Sequence, residues 1–258
     1  LRFHRRGEGR PLLFLHGFFG DRSQWAGLSN KLVEQGFSCT SLDLPGHGEA
    51  SNFKGGWNEL LVQIDDWIGA QNQAVSIVGY SMGSRILRRL LLRPGPALER
   101  ALLIAPHPGL ATAAARARRL SDENLAALFC AQSKSTNIDY WERLPVFAGQ
   151  KSVAAHSRTE QRLMRLRQAP RGLAKSLRTF GSGSCLEGGP VAREASIELL
   201  YGDRLAVDIA RCERLHKLWP QALKQLFSGC GHNLILEAPE ALVECIRASR
   251  LGGRPFTR

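Results

Sequence analysis

Ser81 stands where a catalytic nucleophile would be placed, in Val75-Ser76-Ile77-Val78-Gly79-Tyr80-Ser81-Met82-Gly83. A short β-branched run ends in Gly-x-Ser-x-Gly and passes directly into Ser84-Arg85-Ile86-Leu87-Arg88-Arg89-Leu90, a helix-like pattern. Such a strand-to-helix elbow lifts the serine oxygen above the sheet. It needs little bulk two residues before and two after, where the turn presses backbone against backbone. A serine hydroxyl reacts at neutral pH only when a base takes its proton. Of seven histidines, His232 has the setting for that task. It lies on the turn Gly229-Cys230-Gly231-His232-Asn233, after a strand-like segment at 222–228 and before a helix-like segment at 239–246 that opens with proline. A late histidine on a Gly-rich turn fits the chain order serine, acid, histidine. His4 is terminal, and His156 and His216 lie in polar helix-like stretches; these three read as surface residues.

Two further strand-to-loop transitions belong with this pair. Leu12-Leu13-Phe14-Leu15 runs into His16-Gly17-Phe18-Phe19-Gly20 and the polar turn Asp21-Arg22-Ser23, and His16 reads as a hydrogen-bond brace for that loop. Cys39-Thr40-Ser41-Leu42-Asp43-Leu44-Pro45-Gly46-His47-Gly48 is a strand closed by a Pro-Gly turn, in which Asp43 and His47 are expected to pin backbone near the mouth of a site.

The elements that must hold these loops alternate along the chain. Strands are expected near 12–15, 37–44, 75–80, 101–106, 196–202 and 222–229, with room for one short strand before Leu12. Helices are expected near 23–35, 57–70, 84–93, 207–217 and 239–249. This alternation predicts an α/β fold with a mostly parallel sheet flanked by helices. It stops between about 107 and 190, where Ala/Arg/Leu-rich segments with helical periodicity (113–120, 122–129, 159–167, 173–178) read as a helical cap inserted into the sheet domain. The expected division is a core over 1–106, a cap over 107–190 and a second core segment over 191–258. A chain of 258 residues buries a substantial core as one such domain. No apolar run is long enough to span a bilayer and no signal-peptide pattern is present. The six cysteines lack metal or C-x-x-C spacing and read as reduced cytoplasmic thiols, with no metal and no cofactor implied. The net charge of +12 is spread over helix-like segments without interleaved aromatics. It therefore suggests an anionic small-molecule ligand rather than nucleic acid or membrane insertion. Oligomeric state is not legible.

The cap makes a family resemblance specific. The chain resembles the 2-succinyl-6-hydroxy-2,4-cyclohexadiene-1-carboxylate synthases, α/β-hydrolase-fold lyases of menaquinone biosynthesis. The resemblance rests on Leu15-His16-Gly17-Phe18, Asp43 to Gly48, Gly79-Tyr80-Ser81-Met82-Gly83-Ser84-Arg85 and His107-Pro108-Gly109-Leu110. Further on it rests on Arg118 with Ser121-Asp122, Trp141 with Pro145-Val146-Phe147-Ala148, and Leu163-Met164-Arg165-Leu166-Arg167. It implies elimination of pyruvate from a multiply carboxylated cyclohexene, begun by proton abstraction beside a carbonyl rather than by acyl-enzyme formation. Carried over, Ser81 would be the base and His232 its activator, and the Phe18 and Met82 backbone N–H groups would form the oxyanion hole. Arg85, Arg118 and Arg167 would bind substrate carboxylates, and Tyr80 and Trp141 would line the pocket. His107 would line the cap hinge or serve the fold. The sequence departs from the pattern at the acid. The strand 197–201 should lead to Gly-x-x-Asp, yet the chain reads Gly202-Asp203-Arg204-Leu205; Asp203 just before and Asp208 just beyond could each swing in, and Asp208 is favoured because Asp203 reads as a solvated turn residue. A serine esterase or C–C bond hydrolase would use the same elbow. The leucine at 205 also suggests a non-catalytic ligand-binding homologue.

Overall fold

The computed structural model describes residues 1–248. Seven strands, β1 (Phe3–Arg6), β2 (Arg10–Leu15), β3 (Phe37–Leu42), β4 (Ser76–Tyr80), β5 (Arg100–Ile104), β6 (Ser196–Gly202) and β7 (Leu223–Phe227), form one sheet in the order β1-β3-β2-β4-β5-β6-β7. β1 is antiparallel to β3, and the remaining neighbours are parallel. Helices α1 (Ala26–Val33), α2 (Trp57–Gly69) and α3 (Met82–Leu91) separate β2, β3, β4 and β5 in turn. Helices α4 (Thr112–Ala131), α5 (Lys134–Glu142), α6 (Ala155–Leu166) and α7 (Pro170–Phe180) lie between β5 and β6; α8 (Ala206–Leu218), α9 (Leu234–Glu237) and α10 (Pro239–Arg247) complete the chain.

Parallel strands covered on both faces are apolar at every position rather than at alternate ones. β2 and β4 follow this rule, with Leu12, Leu13, Phe14, Leu15, Ile77 and Val78 fully enclosed. Successive side chains point to opposite faces. Leu13, Leu15 and Ile77 therefore join one core with α2, α3 and α8, while Leu12, Phe14 and Val78 join a second with α1, α9 and α10. β2 and β4 are neighbours although β3 lies between them in sequence. Strand order reverses there, and the carboxyl ends of the two strands open the crevice in which such sheets bind ligands.

A third apolar cluster seats the helices of the β5–β6 insertion on the sheet. Ala126 and Phe129 of α4, Ile138 of α5, and Leu173, Ala174 and Leu177 of α7 enclose Phe19 from the loop after β2. The two ends of the insertion are tied together, because Leu110 N–H donates to the Cys185 carbonyl and Glu187 N–H to the Leu110 carbonyl, each at 2.9 Å.

Several boundaries differ from expectation for local reasons. α3 begins at Met82 rather than near 84, because the elbow hands the chain to the helix with no linker. The segments 113–120 and 122–129 are one helix: Ser121 donates its hydroxyl back to the Ala117 carbonyl (3.4 Å) and α4 continues. β7 stops at Phe227, before the turn at Gly229, whose φ of 72° suits glycine. Residue 249 of the expected last helix, with the rest of the segment to 258, lies outside the described residues. Among the described residues, no helix is long and apolar enough to cross a membrane.

Candidate active site

Ser81 follows β4 directly, with its backbone at φ 51° and ψ −100°. A non-glycine residue held in such a region stores about 1–3 kcal/mol, so its surroundings must fix it. Ser81 N–H donates to the Ile104 carbonyl of β5 (3.0 Å), Gly83 N–H to the His16 carbonyl (3.1 Å), and Arg85 N–H to the Ser81 carbonyl (3.1 Å). The flanking glycines are steric requirements: a Cβ at Gly83 would lie 2.1 Å from the Leu15 carbonyl oxygen, and one at Gly79 would lie 2.5 Å from that of Gly83.

His232 reaches this serine from the turn after β7. Its Nε2 is 3.0 Å from Ser81 Oγ, and its Nδ1 is 2.7 Å from Asp208 Oδ2. An ionised carboxylate only accepts, so the ring proton sits on Nδ1 and the Nε2 lone pair faces the serine hydroxyl. Asp208 is 1% exposed and lies in the first turn of α8, where the helix dipole favours a negative charge. Burial alone would raise its pKa. The hydrogen bond from His232, with the charges of His232 and Arg211, outweighs burial and holds it below its ordinary value. Leu205, at the Gly-x-x-Asp position, is instead the N-cap of α8, and its carbonyl accepts the Asp208 N–H (3.0 Å). The carboxylate has moved one helical turn along the chain, and that turn brings it back against His232. Asp203 is spent elsewhere, accepting the Gly229 N–H (2.8 Å) and the Ser228 hydroxyl (3.0 Å).

Phe18 follows β2 and Met82 opens α3; among the described residues, neither backbone N–H donates to a protein acceptor. The loop carrying Phe18 is braced by two buried histidines. His16 Nε2 accepts the Leu44 N–H (2.8 Å) while Nδ1 donates to the Gly17 carbonyl (2.8 Å). His47 Nε2 accepts the Phe19 N–H (3.1 Å) while Nδ1 donates to the Pro45 carbonyl (3.1 Å). Both rings must be neutral to accept. Burial lowers the pKa of His16, and burial with the neighbouring His16 pushes His47 down to about 3. Asp43 accepts the Arg22 and Glu49 N–H groups (2.8 and 2.9 Å), which fixes the second loop.

Aromatic rings surround the pair. Tyr80 and Phe147 lie 5.5 and 6.1 Å from the His232 ring, and Trp141 bridges Phe147 (5.7 Å) to Phe18 (5.0 Å). Burial raises the Tyr80 pKa, so the phenol stays protonated and available to donate. The Trp141 indole N–H is buried and has no acceptor among the described residues.

The arginines divide differently from expectation. Arg85 Nη2 donates to the Phe180 carbonyl (3.3 Å), and its Nε is buried without a partner. Burial lowers its pKa; Arg118 and Arg211 push the same way, while Cys185 and Asp122 oppose them. Arg118 is held by Asp122 (3.0 Å) and Arg211 by Asp208 (3.4 Å). His107 faces the same charges; burial first, then Arg85 and Arg211, push it down to about 2, and its neutral Nδ1 accepts the Gly109 N–H (3.0 Å). Arg167 is not brought to this group. Its side chain is 56% exposed and binds Asp21 (3.2 Å) and Ser23 (2.9 Å) on the outer side of the loop after β2. Arg165, two residues earlier, takes the inward place. Only 4% exposed, it pairs with Glu142 (2.8 Å), lies 5.6 Å from the Phe147 ring centroid, and acts electrostatically on Tyr80.

The chain matches the alpha/beta hydrolase family over residues 12–245. It is similar to the 2-succinyl-6-hydroxy-2,4-cyclohexadiene-1-carboxylate synthase of Klebsiella pneumoniae (strain 342), with 30% identity over 247 residues that cover 93% of each chain. Among solved structures, MenH from S. aureus shares the fold at a TM-score of 0.87 and 23% identity, covering 95% of this chain and 96% of that one. The malate-bound thermophilic esterase of Thermogutta terrifontis shares it at 0.78 and 19%, covering 95% and 91%.

Proposed function

Because the chain belongs to the alpha/beta hydrolase family and, within it, to the 2-succinyl-6-hydroxy-2,4-cyclohexadiene-1-carboxylate synthases, we propose the following reaction and division of labour. The enzyme is a lyase of menaquinone biosynthesis. It eliminates pyruvate from 2-succinyl-5-enolpyruvyl-6-hydroxy-3-cyclohexene-1-carboxylate to leave the cyclohexadiene carboxylate. The observation that carries the reading is the Asp208–His232–Ser81 relay, closed at 2.7 and 3.0 Å, with Arg85, whose buried Nε has no partner among the described residues, one turn beyond Ser81 on α3.

His232 accepts the Ser81 proton through Nε2 as the serine oxygen removes the proton beside the succinyl carbonyl. The electron pair of the broken C–H bond moves onto that carbonyl as an enolate, held by the Phe18 and Met82 N–H groups. Collapse of the enolate forms the C2–C3 double bond, moves the existing C3–C4 double bond to C4–C5, and breaks the C5–O bond to expel the enolpyruvyl oxygen. The imidazolium, steadied by Asp208, supplies the proton that completes the leaving group. Arg85, Arg118 and Arg165 bind carboxylates, and Tyr80 and Trp141 donate hydrogen bonds from the pocket wall. A planar guanidinium suits a carboxylate with two parallel bonds. The free thiols of Cys39, Cys130, Cys185, Cys212 and Cys230 support a reducing, cytoplasmic setting.

The same relay serves acyl transfer, so the reading is tested by a contest of substrates. Purified enzyme is given the enolpyruvyl precursor and a panel of p-nitrophenyl esters. The expected result is pyruvate release with a kcat/KM at least a thousandfold above that for any ester. Efficient ester cleavage with no pyruvate would replace the lyase by an esterase. Inactivity toward both would mark a ligand-binding homologue.

A further inference from the structure

A groove of about 760 Å³ runs along α2, the second half of α3 and the strap 184–188 that leaves the cap. Its volume is that of a small-molecule site. Neither Ser81 nor His232 lines it. Five arginines do, Arg88, Arg89, Arg93, Arg119 and Arg178, against a single acid, Glu187.

The acids within reach are already engaged. Glu187 holds Arg214 with two bonds of 2.6 and 2.8 Å, and Glu123 holds Arg178 at 2.7–3.0 Å. Asp65 serves Arg193 at 2.7 Å and Arg93 at 3.8 Å. Arg88, Arg89 and Arg119 have no carboxylate partner among the described residues. Arg119 Nε donates to the Gly183 carbonyl (3.0 Å), and Arg89 lies over the Trp57 ring at 4.6 Å.

Arg88 is the decisive residue. It is 3% exposed, yet its two Nη atoms share one carbonyl, that of Leu186, each at a long 3.3 Å, and its Nε has no partner. Glu187 acts on this cation from a distance but is bonded to Arg214, and an enclosed cation with no bonded carboxylate is costly. A buried donor set left unpaired on the wall of a groove calls for an anionic ligand. Trp57, Leu61 and Leu92 give the same groove an apolar stretch.

We propose that this groove is a second binding site, for a small molecule that carries two or three phosphate charges beside a flat ring, the chemistry of a nucleoside di- or triphosphate. The phosphates would sit among Arg88, Arg89 and Arg119, whose planar guanidinium groups donate paired N–H bonds to the oxygens of a tetrahedral oxyanion. The ring would lie along Trp57 and Leu92. The site stands apart from the proposed lyase chemistry and does not depend on it.

The test is calorimetric titration of the whole chain with ATP, inorganic pyrophosphate, adenosine and a polyglutamate peptide. The expected result is saturable binding of one ATP per chain with a Kd below 1 mM, weaker binding of pyrophosphate and none of adenosine. ATP affinity should fall at least tenfold when salt is raised from 50 to 500 mM. Arg89→Ala and Arg119→Ala should each weaken ATP binding at least tenfold. Arg88→Lys, which keeps the charge and loses the fork, should do so with an unchanged far-ultraviolet spectrum and melting temperature. Arg158→Ala, on the outer face of the cap, should leave it unchanged. Absence of saturable ATP binding, indifference to all three groove variants, or tighter binding of polyglutamate than of ATP would overturn the proposal.

Discussion

Replacing Asp208 by Asn tests the relay at its most constrained point. The two carboxylate oxygens do different work: Oδ2 accepts the hydrogen bond from His232 Nδ1–H at 2.7 Å, and Oδ1 accepts from Arg211 at 3.4 Å. An amide of the same shape has one acceptor oxygen for two donors. If that oxygen turns to the permanent cation, the amide NH2 is left facing Nδ1. The imidazole must then put its proton on Nε2, and its lone pair no longer faces Ser81. In a serine protease the same exchange costs about four orders of magnitude. Here no amine leaving group has to be protonated, so Asp208→Asn should lower kcat for pyruvate release by about 10²–10⁴, or roughly 3–5 kcal/mol at 1.36 per decade. Arg211 makes the prediction specific. Adding Arg211→Met to Asp208→Asn frees the amide oxygen for His232, and the double variant should regain about tenfold over Asp208→Asn alone. Alone, Arg211→Met should cost activity, because the carboxylate loses a supporting charge. Single-turnover pyruvate release, measured for all four enzymes, gives the coupling energy directly. An Asp208→Asn enzyme within about threefold of wild type, or a second substitution that only deepens the loss, would refute the assignment of Asp208 and its partition between two donors.

The reassigned arginine gives a second test. Arg165→Met should raise KM for the polycarboxylate substrate by the factor that corresponds to losing a desolvated charge pair, about 2–5 kcal/mol. Arg167→Ala should stay within about threefold of wild type, and equal effects at both positions would contradict the placement of α6. The fold should survive the first change because Glu142 keeps Arg162 at 2.8 Å. A third test concerns acid stability. Burial raises the Asp43 carboxyl, but the N–H groups of Arg22 and Glu49, with His16 and Arg22, bring it below its ordinary 3.8. A lowered folded-state pKa contributes stability that is present above 3.8 and lost as pH falls through the folded value. Urea midpoints should therefore show Asp43→Asn less stable than wild type at pH 7, with the gap narrowing below pH 3.8; a gap of constant size would remove the ionised carboxylate from the account.

Much of this site was legible because its chemistry is local. The elbow glycines, the His16-Gly17 loop and the Gly-rich turn at His232 each declare a backbone geometry that few other residues allow, and the fold brings their side chains together. Asp208 was legible only as the nearest carboxylate after Leu205; the helical turn that delivers it is a tertiary fact. The resemblance implies Arg167 as a carboxylate-binding arginine, but the structure sets it outward beside Leu163 and Leu166, which are 52% and 38% exposed. The buried positions are Gln161, Met164, Arg165 and Gln168, spaced three, one and three as on a helical stripe. Glu142 keeps Arg165 inside, and a motif that holds both arginines does not say which of them a partner on α5 will draw inward. The groove around Arg88 left no local mark, because its walls come from α2, α3 and the strap, far apart in sequence.

The central claim is that Ser81, activated through His232, drives elimination of pyruvate, and the most direct measurement is the initial rate of pyruvate release from the enolpyruvyl precursor by wild type and Ser81→Ala. The account predicts steady release by wild type and a loss of at least about 10³ in Ser81→Ala, as expected when a member of a coupled unit is removed, with an unchanged melting temperature. Pyruvate released by Ser81→Ala at the wild-type rate would contradict it.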